Sequence, residues 1–181
     1  MIRMLGILKN LKALGVTGVK QSLEDEGSSF EDIVYMREIT KKAKVKLNVK
    51  IGGCEANNDI NFCKNIKVNS IIAPMVESPY ALKKFIQCSK VDKNCKHFFM
   101  LETYLAFKNV DQIIKSNSIK YIDGVVIGRS DFAGSLGYTK NEVNSEFIFK
   151  KIENCLINIK KKVKKKFIFK MGGSITEKSK D

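Results

Sequence analysis

His97-Phe98-Phe99-Met100-Leu101-Glu102 and Asp123-Gly124-Val125-Val126-Ile127-Gly128 are the two stretches that decide the fold. Both are apolar through their middle instead of alternating apolar with polar residues. A strand with one wet face alternates; a strand covered on both faces does not, and that is the mark of a parallel sheet. Working outward, similar runs recur at 17–21, 45–51, 69–75 and 167–171. With 97–102 and 123–128, the six starts lie 28, 24, 28, 26 and 44 residues apart. Each interval has room for one crossover helix.

The intervening segments carry helix signals. Ser29 before Phe30-Glu31-Asp32 has the form of a capping box. Ser78-Pro79 offers an N-cap followed by proline at the first helical position, with Leu82, Phe85, Ile86 and Ser89 on one face. Ile148, Ile152, Cys155, Leu156, Ile159 and Val163 form an apolar stripe at helical spacing. The lysines at 160–162 and 164–166 suit the negative end of that helix and the solvent. Strand–helix alternation gives an α/β protein with a mainly parallel sheet. Pattern alone leaves two architectures open: a doubly wound sheet, or a (β/α)8 barrel of TIM type short of the usual eight strands and ~250 residues.

The chain of 181 residues is 44% hydrophobic and 29% charged, which is enough apolar material for one core and a single domain over 1–181. No apolar run approaches the ~20 residues of a membrane span, so no membrane partner is expected. The N-terminal stretch has no long apolar run and is interrupted by Lys9 and Lys12, so no signal peptide is expected. The net charge is +14, yet Arg3, Arg37 and Arg129 are the only arginines among 33 basic residues. Base and phosphate recognition favours arginine forks and aromatic platforms; with no Trp and 9% aromatics, no nucleic-acid partner is expected. The positive charge retains one use, the attraction of anionic substrates. Five cysteines at irregular spacing, without a CxxC pair, fit neither a disulfide framework nor a zinc cluster. Reduced thiols point to a cytoplasmic protein.

In either architecture, chemistry gathers at the C-terminal ends of the strands. Glu102 and Asp131 each follow an apolar strand, and a carboxylate there must be solvated, paired or bound to a cation. Together they would make a hard oxygen site suited to Mg2+ or Mn2+. The plainer alternatives are a helix cap or loop residue for Asp131 and a rim ion pair for Glu102. Lys50 and Arg129 would hold a substrate carboxylate or stabilise an enolate oxygen, or else neutralise Glu102, Asp131 or Glu77. Lys20 is a Schiff-base candidate only as one lysine among many. Gly52-Gly53 and Gly172-Gly173 permit close backbone approach to an anion, but no nucleotide-binding fingerprint is present. His97, the one histidine, precedes its strand at the N-terminal end, the wrong end for catalysis, and is expected to be structural or at the surface.

Four blocks stand in order: KIGGCEANNDI (50–60), IIAPMVESPYALKKF (71–85), FFMLETYLAF (98–107) and VVIGRSDFAGSLG (125–137). Together they resemble the HpcH/HpaI aldolase/citrate lyase family, with similarity from about 15 to 173. The resemblance implies a (β/α)8 barrel with a divalent metal, Mg2+ or Mn2+, at the strand C-termini. Glu102 and Asp131 match the family's metal ligands, with Phe132 in place of the usual Leu. Lys50 stands where the family usually has an arginine that grips substrate; Gly128 and Ser130 join it in substrate binding. Glu77 would support the site from behind, and Lys50 with Arg129 would act in catalysis. The chemistry implied is carbon–carbon cleavage or formation through the enolate of a 2-oxo acid or an acyl-CoA-linked acid. The alternative is a truncated, non-catalytic barrel that keeps metal or carboxylate binding. Two departures stand out: residues 19–26 lack the family's acid–base histidine, and Lys50 lacks the bidentate fork of arginine. Six strands imply a shortened barrel with open edges, completed in a homo-oligomer or by another chain. In three dimensions, the Glu102 and Asp131 carboxylates are expected roughly 3–6 Å apart, with Lys50 and Arg129 aimed at the same mouth.

Overall fold

A computed structural model describes residues 2–90 and 94–173. The chain runs α1 (Ile2–Ala13), β1 (Gly18–Ser22), α2 (Phe30–Ala43), β2 (Lys46–Lys50), α3 (Asn57–Asn65) and β3 (Ser70–Ala73). It continues with α4 (Pro79–Ser89), β4 (Lys96–Leu101), α5 (Tyr104–Lys115), β5 (Gly124–Gly128), α6 (Arg129–Ser135), α7 (Glu146–Lys162) and β6 (Ile168–Gly172). Every strand lies within two residues of its expected place. β3 stops earlier than expected, before Pro74, which has no N–H to give the ladder. Met75 then turns the chain through a left-handed φ of 51°. Helix α1 carries no signal in the opening reading; Leu5 and Leu8 dock it on Ile39, Ala43 and Val45.

The helix starts follow their caps. Ser29 Oγ accepts the Asp32 N–H at 3.1 Å while the Asp32 carboxylate accepts the Ser29 N–H at 3.0 Å, a reciprocal box. Ser78 Oγ accepts from Ala81 N–H ahead of Pro79, and Thr103 Oγ1 accepts from Ala106 N–H at the start of α5. Ile148, Ile152, Cys155 and Ile159 of α7 are buried, as their spacing requires.

All five strand pairs are parallel, and the order β1-β2-β3-β4-β5-β6 is the chain order. A doubly wound sheet reverses its strand order once; this one never does, which is the winding of a TIM-type barrel. Alternate residues divide the sheet into two faces. Leu47, Val49, Ile71, Phe99, Leu101, Val125 and Ile127 pack outward under the helices in the main core. Ile72, Phe98, Met100 and Val126 line the concave side with Ile168. A polar layer crosses that side: Ser70 Oγ donates to Asn48 Oδ1 at 2.6 Å, and Lys170 Nζ donates to the same oxygen at 3.1 Å. Lys170 lies on β6 and Asn48 on β2, so the sheet curls far enough for side chains four strands apart to touch. The result is a curled half-barrel of TIM type with six parallel strands, whose edges among the described residues are β1 and β6.

Candidate active site

The C-terminal ends of the strands surround a cavity of about 280 Å3. Its lower wall is apolar, from Ile72, Met100 and Val126; its rim is charged, from Lys20, Asp25, Lys50 and Asp131. A larger hollow of about 560 Å3 lies outside the barrel between α5, α6 and α7, walled by Phe107, Phe132 and Phe147 and lined by none of these charges.

Glu102, the residue after β4, is completely buried. The left-handed turn at Met75 aims a backbone N–H at Glu102 Oε1, 2.8 Å away. The other oxygen, Oε2, has no hydrogen-bond partner and faces Lys50 Nζ at 4.0 Å. Gly128 makes room for it: a Cβ there would stand 2.7 Å from Glu102 Cβ and 3.0 Å from Oε2. Burial pushes the Glu102 carboxyl above its ordinary pKa. The Met75 N–H and Lys50 pull it down, and Asp131, as a nearby like charge, pushes it up again. Asp131 lines the cavity, and it lies near enough to Glu102 for the two carboxyls to act on each other.

Lys50 ends β2 with its side chain 7% exposed. Its close partner is a residue without an assigned role in the sequence reading: Asp25, in the β1–α2 loop, at 3.0 Å. Lys50 in turn holds the Asp25 carboxyl below its usual range. Beside it, Lys20 Nζ meets Glu26 Oε1 at 2.6 Å, and Glu26 Oε2 accepts the Ser22 N–H at 3.0 Å.

Asp131 is exposed at the rim, in the first turn of α6, where the helix end favours an anion. Ser130 lines the same cavity, and a Cβ on Gly173 would come within 2.7 Å of its Oγ. Arg129 is not brought to the mouth beside Lys50. Its Nη1 donates to Asn144 Oδ1 at 2.7 Å, its Nε to the Gly172 carbonyl at 3.4 Å, and its Nη2 to the Gly173 carbonyl. The reason is helical: α6 begins at Arg129, so Arg129 and Asp131 project about 200° apart around its axis. The Gly172-Gly173 carbonyls thus serve the Arg129 guanidinium. At the other glycine pair, the Gly52 N–H is taken by Asp59 Oδ2 at 2.8 Å.

Glu77 stands behind the site. Its Oε1 accepts from Thr103 Oγ1 at 2.6 Å, and its carbonyl accepts from Asn109 Nδ2 at 2.9 Å. Thr103 follows Glu102 directly, so this bond fixes the backbone that carries the buried carboxyl. His97 is buried at the opposite end of β4, with its ring 5.8 Å from Phe85.

Among the described residues no three His, Cys, Asp or Glu side chains form a complete ligand cage. Two carboxylates with one oxygen left unpaired are nevertheless a donor set of the kind that Mg2+ or Mn2+ uses, since such ions keep several waters or substrate oxygens. The residues fit a hard divalent ion and do not fit zinc, for which a nitrogen or sulfur ligand is missing.

Solved structures share the fold. An HpcH/HpaI aldolase from Desulfitobacterium hafniense aligns with a TM-score of 0.79 at 13% identity, covering 97% of this chain and 75% of that one. The citrate synthase SbnG gives 0.76 at 15% identity, covering 91% and 72%. An HpcH/HpaI aldolase/citrate lyase family protein from Burkholderia cenocepacia gives 0.74 at 11% identity, covering 92% and 75%. Among curated proteins, none matches the chain. The sequence profile of the HpcH/HpaI aldolase/citrate lyase family matches residues 28–168, more than half of the chain and all of the mouth except its Lys20, Asp25 and Gly172-Gly173 margins. The chain therefore belongs to the HpcH/HpaI aldolase/citrate lyase family.

Proposed function

We propose that the protein is a divalent-metal-dependent carbon–carbon lyase that acts through the enolate of a 2-oxo acid or an acyl-CoA-linked acid. The observation that carries this reading is the buried Glu102, with Oε2 unpaired and turned toward Lys50 beside Asp131. Glu102 and Asp131 would hold Mg2+ or Mn2+. When bound, the ion supplies a Lewis acid for the substrate oxygens. Lys50 binds the substrate carboxylate, and Gly128 and Ser130 line the space next to it. The Ile72, Met100 and Val126 floor excludes water from below, which strengthens every charge interaction above it. Glu77 positions Glu102 through Thr103. Arg129 anchors the end of β6, which keeps Gly173 against Ser130.

Free thiols at all five cysteines suit the reducing cytoplasm, and the open β1 and β6 edges suit a homo-oligomer or a complementing chain. A second reading, a barrel that keeps binding without catalysis, draws on two observations. No histidine stands at the mouth, and the Arg129 fork is committed to backbone carbonyls and Asn144.

The deciding experiment is proton exchange at the pyruvate methyl group, followed by NMR with and without Mg2+ or Mn2+. Exchange needs only enolate formation and no second substrate. Metal-dependent exchange that disappears in Glu102→Gln and Asp131→Asn supports the lyase. Exchange that survives in Glu102→Gln sinks it. Metal binding without exchange on pyruvate or on acyl-CoA-linked acids favours the binding-only barrel.

A further inference from the structure

The β1–α2 loop, residues 23–29, brings two carboxylates into the mouth, and each sits on a different rim lysine. Asp25 Oδ2 lies 3.0 Å from Lys50 Nζ, and Glu26 Oε1 lies 2.6 Å from Lys20 Nζ. The loop is folded to do this. Gly27 takes a φ of 63°, its N–H reaches the Glu24 carbonyl at 3.2 Å, and the Ser28 N–H returns to the Ser22 carbonyl at 3.3 Å. Leu23, between β1 and this turn, is buried in the core, which pins the loop base. Register places Lys50 opposite Ser22, with Lys20 one pleat below on the same concave face.

The two pairs differ in kind. Lys50 is almost entirely enclosed, and Asp25 is about half exposed, so the pair has one fixed member and one free to leave. Glu102 Oε2, at 4.0 Å, is too far for a close bond to Lys50. The place on the ammonium where a substrate carboxylate would sit is thus the place that Asp25 holds.

We propose that the 23–29 loop is an internal carboxylate strap. Asp25 occupies the Lys50 subsite in the empty enzyme, and an incoming carboxylate binds by displacing it, while Glu26 keeps the loop tethered at Lys20. The inference rests on Lys50 as the carboxylate-binding group and adds that affinity there is set by competition within the chain. The ligand class is a carboxylate.

The test is an acetate titration of lysine-labelled full-length protein, read at the Lys50 Cε and Nζ resonances, which Lys50→Met identifies. Asp25→Asn should lower the acetate concentration that half-saturates the Lys50 shift by roughly two- to fivefold, the range of a partly exposed ion pair. Glu26→Gln should move the Lys20 resonances at the start of the titration and leave the Lys50 midpoint at its wild-type value. If Asp25 merely orients Lys50, Asp25→Asn will need as much acetate or more, and the strap is overturned. A Lys50 resonance that never responds to acetate, in either protein, overturns it as well. Failure of exchange on both pyruvate and acyl-CoA-linked acids, with an intact Lys50 response, would remove the lyase and leave the strap standing.

Discussion

Glu102→Gln should make the metal-free protein more stable while destroying its capacity to bind a divalent ion. The wild-type carboxyl has zero exposure and a single hydrogen bond, from the Met75 N–H. A carboxylate held comfortably in a fold accepts two or three such bonds. Its Oε2 has none, and a buried polar atom left unpaired costs about 1–3 kcal/mol, more when charged. Lys50 at 4.0 Å returns part of that cost, yet burial is the largest influence and the carboxyl titrates above its ordinary range. Glutamine keeps the shape, accepts the Met75 bond through its carbonyl and turns its amide toward Asp131. Lys50 is not stranded, because Asp25 remains at 3.0 Å. The expected gain at pH 7 is about 1–2 kcal/mol, the lower part of the range for an unpaired buried group.

The pH dependence has a definite sign. The folded state holds the Glu102 proton more tightly than the unfolded chain does. The stability from this residue is complete below the ordinary glutamate pKa and is lost as pH rises toward the raised folded value. The advantage of Glu102→Gln should therefore shrink as pH falls from 7 through that window. The assay is urea unfolding at several pH values with a chelator present, compared at constant slope. Adding Mg2+ should invert the ranking: at 100 times the dissociation constant, wild type would gain about 2.7 kcal/mol and the variant nothing. A variant less stable than wild type at pH 7 without metal would refute the reasoning, because it would mean that Lys50 and Met75 satisfy the carboxylate fully.

Gly128→Ala places a Cβ 2.7 Å from Glu102 Cβ and should cost about 1–3 kcal/mol in the same unfolding assay. Gly134→Ala, with nothing within 4 Å, is the matched control and should gain up to about 1 kcal/mol. Thr103→Val removes both the α5 cap and the Glu77 bond; a loss of about 1 kcal/mol or more is expected, with Thr103→Ser near wild type. The Cys63 and Cys155 thiols, pushed up to about 12 by burial, should react with a disulfide reagent only as the chain unfolds, seen as a lag in thiol release. Phe169 and Met171, 37% and 49% exposed on the uncovered face of the β6 edge, should drive concentration-dependent association in sedimentation, reduced by Met171→Lys.

Much of this geometry is legible in the sequence because it depends on period. A strand buried on both faces has to be apolar throughout, so Phe98–Leu101 and Val125–Ile127 announce themselves, and the first polar residue after Leu101 marks the strand's end. That is how Glu102 is found. The caps at Ser29 and Ser78 follow from local chemistry within four residues. Helix α1 escaped because its lysines interrupt the apolar pattern, and its burial reduces to Leu8 with Leu5 alongside. The Asp25–Lys50 contact joins residues 25 apart through an irregular loop, and no periodicity encodes which of three consecutive acids will reach back.

Arg129 shows where strand-end logic stops. In the sequence, Arg129, Ser130 and Asp131 follow one apolar strand, and strand-end logic assigns all three to the same mouth. The strand, however, ends at Gly128, and the next residue is already helical. From there each position turns about 100°, not the 180° of a strand, so a two-residue interval reverses a side chain instead of restoring its direction. Asp131 comes round to Glu102, and Arg129 is carried to the carbonyls of Gly172 and Gly173. The guanidinium then ties β6 to β5 at the site's own margin, where Gly173, at φ 97°, presses on Ser130. Arg129→Lys keeps the charge and loses the fork that spans two carbonyls and Asn144. It should loosen the 172–173 segment, raising amide exchange there, while pyruvate affinity changes less than in Lys50→Ala. Equal loss of affinity in the two variants, with amide exchange at 172–173 unchanged, would return Arg129 to the substrate.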